Sequence, residues 1–302
     1  MTDPRAIAAV ARQGALVAGS STATVAWWSF TKTLMAAAAL KLHEEGRLEL
    51  DTCVDQYSFT LRQLLRHTAG LGNYGGLKQY HDAVKRGECP WSDDELFARI
   101  PPSRPLFRPG AGWAYSNVGY LIVRRCLERV LDEDLGAVLN GIVLVPLGVE
   151  DARLAKTPRD LDETAFPPPF TYDPGWAFHG CIIGPASNAA LALHRLIEGR
   201  FFSPSTRAAF LDRHGHGGPI HGRPWASIGY GTGVMMPTLV CGGESVCLVG
   251  HSAAGPGSVG AVYGTLEDRP LKTVSVFSAG DNESAVESCA AARLSAEYGL
   301  QS

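Results

Sequence analysis

Apolar residues recur along this chain in two spacings, helical and alternating, and one stretch is apolar almost throughout. That stretch runs from Lys32 to Leu42, is rich in alanine and is followed by Gly46, which predicts a helix with a glycine stop. Helical spacing recurs at 60–67, with Thr60 as cap, at 93–100, at 118–131 and at 135–145, the last ending before Pro146-Leu147-Gly148. Ser187 stands where it would cap a helix over 188–198, and an amphipathic pattern over about 283–298 closes the chain.

Strand signals gather at the two ends. Runs at 6–10 and 15–18 flank Arg12-Gln13-Gly14 and predict a hairpin. Glycine-punctuated β-type runs follow at 228–235, 239–240, 245–249, 258–263 and 273–277. Residues 73–112, rich in Gly, Pro and aromatics, predict loops around the helix at 93–100, with a turn at Pro109-Gly110. Pro158, Pro167-Pro168-Pro169 and Pro174-Gly175 predict a surface course for 155–178. The expected fold is α+β: one antiparallel sheet built from both termini, flanked by helices and interrupted by a mainly helical insertion. We expect one domain over 1–302, with the sheet part at 1–50 plus 220–302 and the insertion at 51–219.

Composition narrows the function classes. The 302 residues are 45% hydrophobic and 19% charged, the balance of a globular chain with a sizeable core. A net charge of −3 gives no electrostatic case for nucleic acid or an anionic membrane as partner. Asp3, Arg12 and Gln13 interrupt the first twenty residues, so no signal peptide or membrane span is expected there. Seven cysteines form an odd set without a C-x-x-C, which points to mostly buried thiols in a reducing, cytoplasmic compartment. Nothing in the patterning sets an oligomeric state.

Candidate chemistry begins at Ser29-Phe30-Thr31-Lys32. Residues three apart share a helix face, so the Ser29 hydroxyl and the Lys32 amine can meet. A serine hydroxyl needs a base, and a lysine kept from water can lose its proton and act as one. A first-turn position for Ser29 also favours developing negative charge. Taken alone, S-x-x-K equally describes a helix cap followed by a solvated lysine.

Further motifs stand in order: Tyr115-Ser116-Asn117, then His251-Ser252-Ala253 ahead of Ala254-Gly255-Pro256-Gly257. Around them lie Lys32 through Asp51, Leu64-Leu65-Arg66-His67-Thr68-Ala69-Gly70-Leu71, Pro109-Gly110 through Tyr120, and Pro146-Leu147-Gly148. Over roughly residues 25–280 this resembles the serine β-lactamase and penicillin-binding-protein superfamily. The likeness is to the branch holding class C β-lactamases, D-Ala-D-Ala carboxypeptidases, D-aminopeptidases and family VIII esterases. It implies Ser29 as acylated nucleophile, Lys32 as its proton partner and Tyr115 as second acid or base. It also implies Asn117 as a substrate contact tethering Lys32, an oxyanion hole from the Ser29 and Ala254 N–H groups, and a substrate-binding edge at His251, Ser252 and Ala253. Read without the resemblance, Tyr115 closes a turn, Asn117 caps the helix that follows, and His251 is a strand histidine satisfied by backbone.

The departures from that pattern matter. Lys-Thr-Gly, common in β-lactamases, is here His251-Ser252-Ala253, and a neutral imidazole attracts a substrate carboxylate less than lysine does. Ala253 adds a methyl that is expected to narrow the site. The chain ahead of Ser29 is short for the family, so a trimmed sheet edge is expected. The expected activity is hydrolysis of a small ester or amide through acyl-Ser29, without cofactor or metal; the alternatives are a weak β-lactamase and a non-catalytic penicillin-binding sensor.

Two rival motifs fall short. Gly250-His251-Ser252-Ala253-Ala254 resembles a nucleophile elbow, but no histidine follows Ser252 as that triad order requires. His214, His216 and His221 have metal-like density, yet no carboxylate or cysteine adjoins them in a Gly- and Pro-rich stretch expected to be a flexible loop. His67 is expected to support its loop, and His179 and Cys181 flank a glycine where they could line the cleft. Trp91, Trp113, Tyr172, Trp176 and Phe178 are expected to wall an acyl pocket or, more simply, to pack loops.

Overall fold

The computed structural model describes residues 6–241, 243–266 and 271–295. Strand β1 (Ile7–Arg12) turns into β2 (Ala15–Leu16) through Gln13 and Gly14, both at positive φ, which forms the expected hairpin. Strand β3 (Thr24–Ala26) leads through a 3₁₀ turn, Trp28–Phe30, into helix α1 (Thr31–Glu44). Ala36 to Ala39 are all fully buried, so α1 is a core helix covered on every side. Gly46 at φ +71 lets the Arg47 N–H return to the Leu42 carbonyl and close it.

Helix α2 (Leu61–Leu65) starts at a Thr60–Gln63 capping box. Helices α3 (Lys78–Lys85) and α4 (Asp93–Arg99) follow, then α5 (Asn117–Leu131) and α6 (Leu135–Leu139), which widens into a π turn over Asn140–Leu144. Only α4 was expected between 73 and 112. α3 buries just Ala83 and Val84, too thin an apolar stripe to stand out from its loop surroundings.

Strand β4 (Arg153–Leu154), helix α7 (Pro158–Asp162) and strand β5 (Ile182–Pro185) enclose the stretch expected at the surface. It goes partly inside: Leu161, Tyr172, Trp176 and Phe178 are buried. Prolines mark its turns, but its aromatic rings are too large to leave in water. Helix α8 (Ala186–Glu198) begins directly after Pro185, so Ser187 is a buried first-turn residue and not the cap expected. After α9 (Pro204–Phe210), strand β6 (His214–Gly217) pairs with β7 (Ile228–Tyr230), so His214 and His216 lie in a strand where a loop was expected, while His221 stays in the turn beyond it.

Strands β8 (Thr238–Cys241), β9 (Glu244–Gly255), β10 (Ser258–Thr265) and β11 (Lys272–Ala279) precede helix α10 (Glu283–Ser295). Residues 296–298 of the expected last helix lie outside the described residues. The main antiparallel sheet has the order β2-β1-β11-β10-β9-β8, with Ile7 opposite Phe277, so both termini do build it. Its edge at β2 is two residues long. Apolar side chains of α10, among them Val286, Ala290 and Leu294, cover one face through Val274, Val276 and Ala261. Helix α8 covers the other, where Ser275 and Thr273 donate to the Ala186 and Ala190 carbonyls. A smaller sheet, β3-β5-β4, carries the turn that holds Ser29.

Candidate active site

The Trp28–Phe30 turn is held from three sides. Trp28 sits at φ +39, a left-handed conformation that a non-glycine residue adopts only under constraint. Its indole N–H donates to Ser258 Oγ at 2.9 Å, and its ring meets Tyr172 edge-on at 6.0 Å. The Trp27 N–H donates to the Ile182 carbonyl at 2.8 Å, and the Ile182 N–H donates to Thr31 Oγ1 at 3.0 Å. Both backbone groups of Ile182 thus grip residues on either side of Ser29. Ser29 itself lies in this 3₁₀ turn, just ahead of α1 and not in its first turn as expected.

Lys32 Nζ lies within hydrogen-bond reach of Ser29 Oγ, at 3.1 Å, and the Tyr115 hydroxyl donates to the same oxygen at 3.1 Å. The three predicted groups therefore meet at one atom. Lys32 is fully buried, and its amine lies over the rings of Tyr115 and Tyr120 at 5.2 and 5.7 Å. Burial drives the Lys32 amine well below the usual lysine range, against an opposing pull from Cys181. Burial drives the Tyr115 phenol the other way, above its ordinary value, against the effect of its Ser29 bond. Burial thus lowers the proton affinity of the amine and raises that of the phenol, the kind of separation that acid–base work needs.

The flanking residues divide. Asn117 lines the cleft but is the first residue of α5, capped by Ser116, so it is not the helix cap. Its Oδ1 is buried without a partner, and Lys32 is tethered by His179 Nε2 at 2.9 Å, not by Asn117 as the resemblance implied. His67, at φ +59, accepts the Ser116 N–H on Nδ1 at 3.2 Å and packs its ring 4.4 Å from that of Tyr115. It therefore fixes the approach of Tyr115. Strain at Trp28 and the role of His179 as partner of Lys32 were not foreseen; the positive φ leaves no mark in sequence.

Strand β9 carries the opposite wall. Gly250 exchanges both backbone bonds with Met235, and the Ser252 N–H also points to Met235, at its sulfur. Alternation then aims the Ala254 N–H along the same edge, away from β10, and Ala254 lines the cleft with Ser29. A Cβ at Gly255 would come within 2.3 Å of the Trp28 ring, so only glycine lets β9 approach this closely. His251, Ser252 and Ala253 do not line the cleft with their side chains. His251 is buried, donating from Nδ1 to the Ser252 carbonyl and accepting the Tyr230 hydroxyl at 3.2 Å. Burial, then the nearby Lys32, pull it down to about 3. Ser252 faces α10, bonded to Tyr263 and Glu287, because successive side chains of a strand point oppositely. Ala253 packs in an apolar cluster with Trp28 and Ile183, so its methyl fills core and does not narrow the cleft.

The cleft, about 450 Å³, is walled by Trp28, Tyr74, Tyr80, Phe170 and Tyr172. Of the five aromatics expected to wall or pack, only Tyr172 reaches it. Trp176 and Phe178 are core, Trp91 packs on Trp176 and Arg99, and Trp113 stacks on His216. His214 pairs with Asp212 and Arg66, and among the described residues no group of three or more His, Cys, Asp or Glu could hold a metal ion.

Residues 4–298 match the family model described as Beta-lactamase. The chain belongs to the beta-lactamase family. Esterase EstB of Burkholderia gladioli is 29% identical over 143 residues, a match covering 41% of this chain and 36% of EstB. This chain thus spans about a third of that relative. The beta-lactamase fold is shared with a D-stereospecific amidohydrolase from Streptomyces sp. (TM-score 0.71, 23% identity, 94% of this chain and 92% of that one). It is shared too with the octameric penicillin-binding protein homologue from Pyrococcus abyssi (TM-score 0.76, 20% identity, 98% and 74%).

Proposed function

We propose that this protein is a serine hydrolase that cleaves a small ester or amide through an acyl intermediate on Ser29. The observation that carries it is the convergence of a desolvated Lys32 amine and the Tyr115 hydroxyl on Ser29 Oγ, each at 3.1 Å. Lys32 takes the hydroxyl proton as Ser29 Oγ attacks the carbonyl carbon. The N–H groups of Ser29 and Ala254 receive the oxyanion, on a turn and a strand edge already fixed in place. The Tyr115 phenol gives its proton to the departing oxygen or nitrogen and is re-protonated from Lys32. Water then repeats the cycle on the acyl-enzyme.

The lack of a cation at position 251 supports a substrate without a β-lactam carboxylate, while the cleft sets Lys85, Asp281 and Glu283 beside its aromatic wall. His251 stands where many relatives carry lysine, and it is buried, neutral and already bonded to Tyr230. The esterase, amidohydrolase and penicillin-binding names among the relatives fit the reading. A cytoplasmic location belongs to the proposal, supported by Cys53, Cys89, Cys126, Cys181 and Cys289 as free thiols, the first two exposed and the other three buried. No described helix is long and apolar enough to cross a membrane.

The test is a turnover comparison of p-nitrophenyl esters, D-amino-acid amides and a chromogenic cephalosporin, with mass analysis of Ser29. Esters or amides should turn over repeatedly and the cephalosporin weakly, all lost in Ser29→Ala. A stable Ser29 adduct without release would make the protein a sensor instead, and activity retained in Ser29→Ala would remove the mechanism.

A further inference from the structure

We propose that His179 is a positioning residue for Lys32: its Nε2 accepts an N–H of the lysine side chain, which aims the amine lone pair at Ser29 Oγ and gives the ammonium formed during acylation a partner. This rests on the reading of Ser29 as the acylated nucleophile.

A neutral amine has two N–H groups and one lone pair. For Lys32 to act as base, that lone pair must face the Ser29 hydroxyl, and some other group must take an N–H. The polar atoms bonded to Lys32 Nζ are Ser29 Oγ at 3.1 Å and His179 Nε2 at 2.9 Å. His179 is 5% exposed. Tyr115 and Tyr120 face the amine with their rings, Cys181 comes from the β5 side, His67 from the turn after α2 and His251 from β9; Arg124 faces His179 from α5. None of these is a carboxylate, and Glu283 of α10 lies on the cleft and acts on Tyr115, so the ammonium, once formed, depends on hydrogen-bond acceptors and the two ring faces. Nε2 can accept only if the ring proton sits on Nδ1, which is buried without a partner.

The backbone fixes this contact. Gly180 stands at φ +85 with its Cα against Leu135 and Leu154, where a Cβ would lie 2.8 and 2.9 Å from their methyls. Two residues on, Ile182 grips Trp27 and Thr31 on either side of Ser29. His179 is therefore tied to the same turn as the nucleophile. The tether expected from Asn117 is supplied by His179.

The experiment compares His179→Gln with His179→Asn, since Gln Oε1 reaches the place of Nε2 and Asn stops at the place of Nδ1. In Asn, kcat/KM for a p-nitrophenyl ester should fall about 10- to 100-fold, the loss of one bond to a charged group. Its acid limb should move to lower pH by about one unit, because the ammonium has lost its acceptor. Gln should recover most of the rate and keep the wild-type limb. Equal losses in both variants with the limb in place, or no loss in Asn, would overturn the proposal. Should either variant fail to fold, ¹⁵N NMR of the wild-type imidazole decides: a proton on Nδ1 supports the proposal, and a proton on Nε2 overturns it. Ser29→Ala is the separate control. If it stays active, the nucleophile reading fails; if it is dead while His179→Asn is unaffected, only the His179 inference fails.

Discussion

Strand β9 separates two buried polar sites that handle charge in opposite ways. Behind it, Glu287 is fully buried, and Arg223 donates to both its oxygens from Nε and Nη2. Ser252 donates to it as well, Tyr263 bonds Ser252 at 2.7 Å, and Arg223 also reaches Glu283 at 3.0 Å. In front of it, Lys32 is equally buried but meets only a hydroxyl and an imidazole. An ion pair can stay buried when its hydrogen bonds are complete. For a lone amine there burial disfavours the charged form and lowers the proton affinity, which is what the base proposed for Ser29 requires. The back site is therefore fitted to hold charge, and the front site to the base role proposed for Lys32.

The largest expected effect tests the front. Lys32→Met keeps the apolar stem and removes the amine, so kcat/KM should fall about 10³-fold or more, read on an activated ester. The same variant should be more stable than wild type at pH 7. Lys32 has a lowered pKa when folded, so the folded chain binds fewer protons than the unfolded one. Its burial carries no penalty above the ordinary lysine range, near pH 10.4, and a growing one as pH falls toward the lowered value. Denaturant titrations at pH 7 and pH 10 should show the gain at 7 and its shrinkage at 10. A variant that loses stability at pH 7 would mean that Lys32 is held as a partnered cation, and the contrast between the two sites would fail.

The back site should answer in the reverse sense. Glu287→Ala leaves the Ser252 hydroxyl without its carboxylate acceptor and Arg223 with Glu283 alone, and about 3–5 kcal/mol of stability should go, as when one member of a buried pair is removed. Measured below its melting temperature, its kcat should stay within a few-fold of wild type. A large fall in kcat with stability unchanged would show that the two sites are not separate.

Tyr115→Phe sharpens the division of labour inside the front site. Burial holds the phenol above its ordinary value, which fits the proposed role as proton donor and not a role as phenolate. The variant should lose about 10²-fold in kcat/KM, the usual scale for one acid–base group. Its pH profile should keep the ascending limb that belongs to Lys32, and the wild type should show no descending limb below about pH 10. Loss of the ascending limb in Tyr115→Phe would transfer the base to the phenol.

Much of this front site could be read from residue order alone, and the reason is local geometry. Ser29 and Lys32 are one turn apart, so their meeting follows from helix spacing, and the hairpin at Gln13-Gly14 and the cap at Thr60 are equally local. Long-range pairings left weaker traces. The bond from His179 to Lys32 spans 147 positions and depends on how Gly180 bends the chain. Ser252 and Ala253 sit inside a motif, but which way a strand side chain points depends on register, and register was set by Met235 opposite Gly250. The stretch at 155–178 misled because proline marks turns without saying whether the aromatics between them go inside.

Ala253 gives the smallest effect and the finest test of the comparison. Its motif position suggests a methyl that crowds the substrate, whereas its contacts place that methyl in the cluster with Trp28 and Ile183, behind the wall of the cleft. Ala253→Gly removes the methyl and loosens the backbone at a fully paired position opposite Gly260. Stability should fall by about 1 kcal/mol, from lost packing and added chain entropy. Ester turnover and cephalosporin turnover should both stay within two- to threefold, since nothing at the cleft surface has changed. A tenfold rise in cephalosporin hydrolysis with esters unaffected would locate the methyl in the substrate's path. The front of β9 would then select substrates through Ala253 as well as presenting the Ala254 N–H, and the boundary between packing and chemistry would run one residue further into the strand.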